Sequence, residues 1–250
     1  RHLKQTNSSI SPSSVDLIIW PENSVDVDVF KNDDVRSLLE NLSQELNTPV
    51  LVGAVTRGTG GLNNQSILFD PQITQIYSKR YLTPFGEYLP LRPFAERISK
   101  YASTIDDFTP GQEFVTFSVN GTKFNSLICY ELINDSFTKE NTNDFLVIQT
   151  NNATFGDTAQ LDQQLNIARV RAIESGREIA YVSTTGTTSF IGVNGKIINS
   201  LEKFEPGTLT KVIRTYSGQT NAQRIGSWVE IFSIGFLIMV LGYRRWKIDA

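Results

Sequence analysis

The chain has one cysteine, one histidine and one methionine among its 250 residues, and this scarcity excludes several kinds of site. One cysteine cannot form an internal disulfide, and with one histidine it cannot supply the usual ligands of a zinc ion. The histidine, His2, stands at the second position, so a catalytic pairing of cysteine with histidine has no convincing base. We therefore expect no metal and no cofactor, and cysteine chemistry would need a different base.

Basic clusters, internal repeats and low-complexity tracts are also missing, apart from a Ser/Asn-rich patch at residues 6–14. The net charge is −3 and no basic face is visible, so we expect no nucleic-acid partner. The length suits one large α/β domain or two small ones, and no linker-like tract divides it. We assign a single domain to residues 1–222 and a separate C-terminal segment to residues 223–250.

Apolar runs typical of strands alternate with amphipathic segments typical of helices. The predicted strands are 16–20, 50–56, 65–69, 73–77, 114–119, 126–129, 145–150, 178–183, 189–193 and 196–199, and the predicted helices are 33–46, 132–139 and 161–175. Turn signals at Pro71 and at Asn194-Gly195 place antiparallel neighbours beside βα units. This mixture favours two packed sheets with helices outside over a doubly wound sheet.

Cys129 lies where the apolar segment 126–129 gives way to a polar, helix-compatible stretch. A strand-to-helix turn lifts a side chain off the sheet edge, and the N–H groups that follow favour a thiolate there. A nucleophile is therefore one interpretation of this cysteine. A small buried apolar residue is the other, because free cysteines are among the most buried residues.

Glu22 and Lys79 occupy similar places after other predicted strands. Glu22 follows the apolar run 16–20 and Pro21, and Lys79 follows the segment 73–77. Taken singly, each is more typical of a solvated charge at a strand end. Taken with Cys129, they form a set of reactive side chains at strand ends, where α/β sheets present ligand-binding groups.

A glutamate, a lysine and a cysteine can together carry out acyl transfer. The sulfur attacks a carbonyl carbon, a carboxylate takes and later returns the thiol proton, and a fixed cation stabilises the oxyanion. The pattern therefore predicts Glu22 as the base, Lys79 as the oxyanion partner and Cys129 as the acyl carrier.

The order Glu22, Lys79, Cys129 resembles the triad of the nitrilase, or carbon-nitrogen hydrolase, superfamily. Within it, KRYLTPFGEYLP at 79–90 and ICYE at 128–131 are most similar to the apolipoprotein N-acyltransferase family. The resemblance implies a nitrilase-like α-β-β-α four-layer sandwich. It also implies transfer of a fatty acyl chain from a membrane phospholipid, through a cysteine thioester, to the N-terminal α-amine of a diacylglyceryl-cysteine apolipoprotein.

The same resemblance assigns roles at further matching positions. It implies Glu87 as a second essential carboxylate, and Tyr130 and Glu131 as residues that shape the site beside the nucleophile. Thr154 stands where the family commonly has a tryptophan. The chain starts at Arg1 without a methionine and lacks the family's first strand and preceding membrane helices, so we interpret it as a fragment.

The loop at residues 81–94 is long, aromatic and rich in proline, which disfavours regular structure. Exposed apolar loops beside a nucleophile suit the entry of an acyl chain, although each such side chain is equally typical of a plug over the sheet. The predicted substrate contacts are Tyr81, Phe85, Tyr88, Asn151 and Phe155.

Apolar residues dominate every helix face of the segment 228–243. As a helix it rises about 24 Å, and residues 225–227 could extend it toward the hydrocarbon thickness of about 30 Å. We predict a C-terminal transmembrane helix, with a buried core helix as the alternative. The basic tail from Arg244 to Lys247 then lies in the cytoplasm, which places the catalytic domain on the extracytoplasmic side of the cell membrane. The resemblance implies a multi-pass full-length protein.

Two other functions are compatible with these patterns. A nitrilase-like amidase or carbamoylase that hydrolyses small amides uses the same triad and needs neither a membrane span nor an aromatic loop. A non-catalytic, membrane-tethered binding module would leave Cys129 merely buried.

Overall fold

The computed structural model describes residues 1–98, 106–137, 143–226 and 228–249. Its strands are β1 (Ile18–Ile19), β2 (Val50–Gly58), β3 (Gly61–Asp70), β4 (Gln72–Ser78), β5 (Phe117–Val119), β6 (Thr122–Ile128), β7 (Phe145–Thr150), β8 (Ile179–Ser183), β9 (Ser189–Ile191) and β10 (Ile197–Ser200). Its α-helices are α1 (His2–Ser9), α2 (Asp33–Leu46), α3 (Arg92–Ile98), α4 (Ala159–Ser175), α5 (Asn221–Ile225) and α6 (Trp228–Asp249). Short 3₁₀ helices span Cys129–Ile133 and Ala153–Phe155.

The strands form two mixed sheets. The first has the order β1-β2-β3-β4, and the second has the order β10-β9-β8-β7-β6-β5. Strand β1 is parallel to β2, and β6, β7 and β8 are parallel neighbours, whereas β2-β3-β4 and the outer pairs of the second sheet are antiparallel. The carboxyl ends of parallel strands therefore lie beside hairpins, as the turn signals predict.

Side-chain alternation along the strands divides the core into layers. Val50 and Val52 on β2 pack with the buried face of α2, whereas the intervening Leu51 joins the core shared with the second sheet. On the outer face of the second sheet, Leu165 and Ala168 of α4 pack against the buried residues of that sheet. The order is helix, sheet, sheet, helix, so the predicted four-layer α-β-β-α sandwich is confirmed.

Helix α2 shows how local sequence signals place an element. Asn32 caps its N-terminus by accepting a hydrogen bond from the Val35 N–H at 3.0 Å. Asp33 and Asp34 complement the helix dipole in the first turn, and Asn47 ends the helix in the left-handed conformation, with φ 46°. The observed bounds are those that the sequence predicts.

Three predicted elements need correction. Strand β1 is limited to Ile18–Ile19. Helix α3 begins at Arg92, inside the loop that was predicted to be irregular, because Pro93 is tolerated in a first helical turn. The predicted helix 132–139 lies partly outside the described residues, and its described beginning belongs to the 3₁₀ helix Cys129–Ile133.

The predicted C-terminal transmembrane helix is not confirmed. The segment does form helix α6, but among the described residues no helix is both long enough and apolar enough to traverse a bilayer.

Candidate active site

Residues predicted from strand ends stand where those strands finish. Lys79 follows β4, Cys129 follows β6 and Asn151 follows β7. Because β6 and β7 are parallel neighbours, their carboxyl ends meet at one edge of the second sheet. The Asn151 N–H donates to Glu22 Oε2 at 2.6 Å, and this bond links that edge to the segment that follows β1.

Gly53 makes room for the backbone that carries Glu22. A Cβ atom at this position of β2 would lie 2.5 Å from the Pro21 carbonyl oxygen and 2.6 Å from the Glu22 Cα. A larger residue would therefore displace the Glu22 segment. The role of Gly53 was not predicted from the sequence, although a glycine inside an apolar strand is a known sign of close backbone approach.

Glu22, Asn64, Lys79 and Glu87 form a buried group that we name the carboxylate–lysine cluster. The Lys79 ammonium lies 2.7 Å from Glu87 Oε2 and 3.6 Å from Glu22 Oε1. The Asn64 amide donates to both carboxylates, at 2.7 Å to Glu22 Oε1 and at 2.6 Å to Glu87 Oε1. The structure thus brings together three residues that the sequence analysis selects, and adds Asn64, whose role depends on contacts that one strand does not reveal.

The charges in this cluster support one another. Burial on its own would lower the pKa of Lys79, but the Glu22 and Glu87 carboxylates outweigh it and raise that pKa, so the ammonium stays charged. Burial raises the pKa of Glu22, against the opposing effects of Lys79 and Asn64. A carboxylate with a raised pKa is a stronger base, which suits removal of a thiol proton.

Cys129 occupies the first position of the 3₁₀ helix that follows β6. Its backbone is left-handed, with φ 50°, a conformation that costs energy for a residue other than glycine and recurs at functional sites. The side chain is buried. Burial and the Glu22 carboxylate raise the pKa of the Cys129 thiol to about 11, whereas Lys79 acts in the opposite direction. The sulfur is therefore a neutral thiol, and a nucleophilic role would require a base to remove its proton.

Cys129, Thr150, Gln164 and Tyr181 form a second group that we name the thiol cluster. The Gln164 carboxamide donates from Nε2 to the Cys129 sulfur at 3.4 Å. The Tyr181 hydroxyl donates to Gln164 Oε1 at 3.1 Å, and the Thr150 hydroxyl lies at the same distance from that oxygen. None of these three partners of the cysteine was predicted, because they come from β7, α4 and β8 and meet only in the folded chain.

Glu131 connects the chain before Cys129 with the chain after Lys79. Its Oε2 accepts from the Ile128 N–H at 2.8 Å. Its Oε1 accepts from the Tyr77 hydroxyl at 2.7 Å and from the Arg80 N–H at 2.7 Å. Burial raises the pKa of Glu131 to about 7, against these donors, which lower it.

Arg171 lies on α4 and is buried. It pairs with Glu174, and it donates to the Leu132 carbonyl at 2.7 Å and to the Ile133 carbonyl at 2.8 Å. These carbonyls end the 3₁₀ helix that starts at Cys129. Arg171 therefore ties α4 to the turn that carries the thiol.

The predicted substrate contacts lie in different environments. Tyr81 is half-buried, its ring packs edge-on against Phe137 at 5.6 Å, and its hydroxyl lies 3.0 Å from Ser136 Oγ. Phe85 is 66% exposed with φ 62°, and its N–H donates to the Tyr88 carbonyl at 2.8 Å in a tight turn. Phe85 is thus presented to solvent, whereas Tyr81 is held within the fold.

The other selected positions flank the two clusters. Asn151 holds Glu22 through its N–H, and its Oδ1 accepts from the Thr184 hydroxyl at 2.9 Å. Phe155 is half-buried in the 3₁₀ helix Ala153–Phe155, and Tyr130 is half-buried beside the cysteine. Their contacts with a substrate stay predictions.

Comparison with known proteins places this geometry in context. Residues 3–221 match the family described as Carbon-nitrogen hydrolase. A curated relative named "Apolipoprotein N-acyltransferase", from Mycolicibacterium smegmatis, is 34% identical over 86% of this chain and 38% of its own length. A relative of the same name from Haemophilus ducreyi is 31% identical over 96% of this chain and 50% of its own length. The chain thus spans about half or less of the length of these relatives.

Solved structures share the fold at lower identity. An amidase from Nesterenkonia sp. has a TM-score of 0.61 and 17% identity, covering 90% of this chain and 86% of the amidase. XC1258 from Xanthomonas campestris, described as a CN-hydrolase superfamily protein, has a TM-score of 0.59 and 17% identity, covering 85% of this chain and 81% of its own. At this identity the likeness establishes the sandwich and says nothing about the substrate.

Proposed function

This chain belongs to the carbon-nitrogen hydrolase family, and from that premise we propose that it is the catalytic part of an acyltransferase with a Glu22, Lys79 and Cys129 triad. The acyl donor is a membrane phospholipid, and the acceptor is the N-terminal α-amine of a diacylglyceryl-cysteine apolipoprotein. The names of the curated relatives support this choice of reaction.

One observation carries the proposal: a base, a cation and a thiol converge from three strand ends although they are far apart in the sequence. Glu22 and Lys79 form an ion pair at 3.6 Å, and both change the pKa of the Cys129 thiol. A merely buried cysteine has no need of a neighbouring base and cation. The arrangement therefore favours nucleophilic catalysis over a binding module.

In the first half-reaction, Glu22 takes the thiol proton as the Cys129 sulfur attacks the ester carbonyl carbon of the phospholipid. Lys79 stabilises the negative oxygen of the tetrahedral intermediate. The ester C–O bond then breaks, the Glu22 proton passes to the leaving oxygen, and a lysophospholipid departs. The acyl chain is left on sulfur as a thioester.

In the second half-reaction, the free amine of the acceptor attacks the thioester carbonyl. Glu22 takes a proton from the attacking nitrogen, the C–S bond breaks, and the proton returns to the sulfur. The products are an amide and the original thiol, so all atoms balance. Glu87 keeps Lys79 in place throughout, because their ion pair at 2.7 Å is the shorter of the two that the lysine makes.

Exposed apolar surface supports a lipid substrate. Phe85 and Leu91 are 66% and 79% exposed, both with left-handed backbone in the loop that follows Lys79. Ile231, Phe232 and Ile238 of α6 are each more than half exposed. We propose that α6 contacts the membrane; the side of the membrane on which the catalytic domain lies stays a prediction.

Trapping of the thioester tests the reaction. The protein is incubated with phospholipid vesicles and no acceptor, and intact-mass and peptide mass spectrometry should show one acyl group on Cys129. Glu22→Gln is expected to slow this acylation by about 10² to 10⁴, because the general base is lost. Glu113→Gln, an exposed carboxylate, is the matched control and should acylate normally.

An unmodified Cys129 after exposure to phospholipid, in folded protein, contradicts the acyltransferase. Hydrolysis of small amides by the same sample, without any dependence on lipid, would identify the amidase or carbamoylase instead. Rapid acylation of the Glu22→Gln variant would remove Glu22 from the role of base.

A further inference from the structure

Gln164 is the residue that donates a hydrogen bond to the reactive sulfur from outside the predicted triad. It lies on α4, and its Nε2 is 3.4 Å from the Cys129 Sγ, within hydrogen-bonding range of a sulfur acceptor. Helix α4 also holds the turn after Cys129 through Arg171, so the helix that presents the amide is fixed relative to the thiol.

Neighbouring donors fix the orientation of the Gln164 carboxamide. Its Oε1 accepts from the Asn152 amide at 2.8 Å and from the Tyr181 hydroxyl at 3.1 Å. With Asn152 in this orientation its NH₂ group donates to the Gln164 oxygen, and exchange of the two ends of Gln164 alone would set two N–H groups against each other. The oxygen therefore faces Asn152 and Tyr181, and the nitrogen faces sulfur.

We propose that Gln164 is a positioning residue, whose N–H holds the Cys129 sulfur toward the substrate carbonyl and stabilises the thiolate that forms when Glu22 removes the proton. The inference rests on the proposed function only in treating Cys129 as the nucleophile. It assigns to Gln164 no proton transfer and no contact with the reacting carbon.

The balance of charge around the sulfur shows why such a donor matters. Burial and Glu22 raise the pKa of the thiol, whereas Lys79, Thr150 and Gln164 lower it. Burial and the nearby cysteine raise the pKa of the Tyr181 phenol, which therefore stays neutral and remains a donor. Lys79 is already shared between two carboxylates, so neutral donors supply the additional stabilisation of the thiolate.

Alkylation of Cys129 by iodoacetamide, followed as a function of pH, tests this role without any acyl donor. Gln164→Met keeps the length of the side chain and removes the N–H. Below the midpoint of the pH profile, we expect the alkylation rate of this variant to fall about tenfold. The midpoint itself should rise by about one pH unit, which corresponds to the free energy of about one hydrogen bond to a charged group. Gln163→Met, at the exposed neighbouring position of α4, should leave the profile unchanged.

Tyr181→Phe provides a second variant that leaves Gln164 in place. Loss of one donor to Oε1 should loosen the carboxamide and move the midpoint in the same direction by a smaller amount. An unchanged profile in both variants, with native unfolding midpoints, overturns the inference. If Gln164→Met does not fold, the Tyr181→Phe profile alone decides.

The two proposals fail separately in these measurements. A shifted profile with no acylation by phospholipid retains Gln164 as a positioning residue and removes the acyltransferase. Normal acylation with unshifted profiles retains the acyltransferase and removes the role of Gln164.

Discussion

The carboxylate–lysine cluster and the thiol cluster meet at one site but are built on different physical terms. In the first, two carboxylates surround one buried ammonium at 2.7 and 3.6 Å, and an amide bridges them. In the second, the donors around the sulfur are neutral, and Gln164 reaches it at 3.4 Å. Lys79 stays charged in the first cluster, whereas the second surrounds the thiol with neutral donors.

Glu131 stands between the two clusters and shows how they are kept in register. Each of its oxygens holds a different segment, Oε1 the chain after Lys79 and Oε2 the chain before Cys129. A shift of either segment would leave a buried carboxylate oxygen without its donor, which is costly. The distance between cation and thiol therefore depends on a residue that belongs to neither cluster.

The largest expected effect comes from breaking the charged cluster. Lys79→Met leaves Glu22 and Glu87 buried without their cation, and we expect a loss of about 3–5 kcal/mol in the free energy of unfolding at neutral pH. Urea unfolding measures this loss. Lys31→Met, which removes an exposed lysine 3.9 Å from Asp28, is the control and should change little. Equal, small losses in both variants would contradict the charged character of the cluster.

The next largest expected effect concerns Glu131, which connects the two clusters and makes the stability depend on pH. Burial raises the pKa of Glu131 to about 7, above the value of about 4.3 expected in the unfolded chain. The folded state then binds more protons between these values, so its stability should fall as pH rises from about 4.3 to about 7, by about 4 kcal/mol at most.

Glu131→Gln should remove this dependence, so the stability difference between the protein and the variant should shrink between pH 5 and pH 8. Urea unfolding across that range provides the measurement, with Glu113→Gln as an exposed control. A difference that is constant or grows with pH would show that the hydrogen-bond donors, and not burial, dominate at Glu131.

The smallest expected effect is the difference between removing the hydroxyl of Tyr77 and removing that of Tyr181. Tyr77 and Tyr181 are both fully buried, but Tyr77 donates to the carboxylate of Glu131, and Tyr181 donates to the neutral amide of Gln164. We expect Tyr77→Phe to cost about 2 kcal/mol and Tyr181→Phe about 1 kcal/mol of unfolding free energy. Thermal and urea unfolding of the two variants measure the difference, and a reversed order would contradict the contrast between the environments.

Much of the fold was predictable, because the hydrophobic periodicity of each segment indicates which of its residues are buried. Strand β7 and helix α2 have the predicted bounds, and the family predicted from the order of Glu22, Lys79 and Cys129 is confirmed by the match over residues 3–221. The C-terminal helix marks the limit of this reasoning. Its apolar run does form helix α6, but among the described residues no helix is long and apolar enough to cross a bilayer.

The partners of the reactive groups could not be predicted. Asn64, Gln164 and Gly53 are ordinary residues for the elements that carry them, and their importance comes from contacts with segments many residues away. The hydrogen bond from Arg171 to the turn after Cys129 could not be predicted either, because helical spacing shows which side of a helix faces the sheet, but not which turn of another segment crosses the helix.

The sequence by itself determined which residues can do chemistry and at which strand ends they stand, because residue type and hydrophobic pattern are local properties. Only the tertiary structure decided that Lys79 is shared by two carboxylates, that Glu131 joins two segments, and that Gln164 faces the sulfur. These facts depend on the distances between side chains in the folded chain. Burial makes those distances important, because the energies of charges and hydrogen bonds removed from water depend strongly on the groups within a few ångströms.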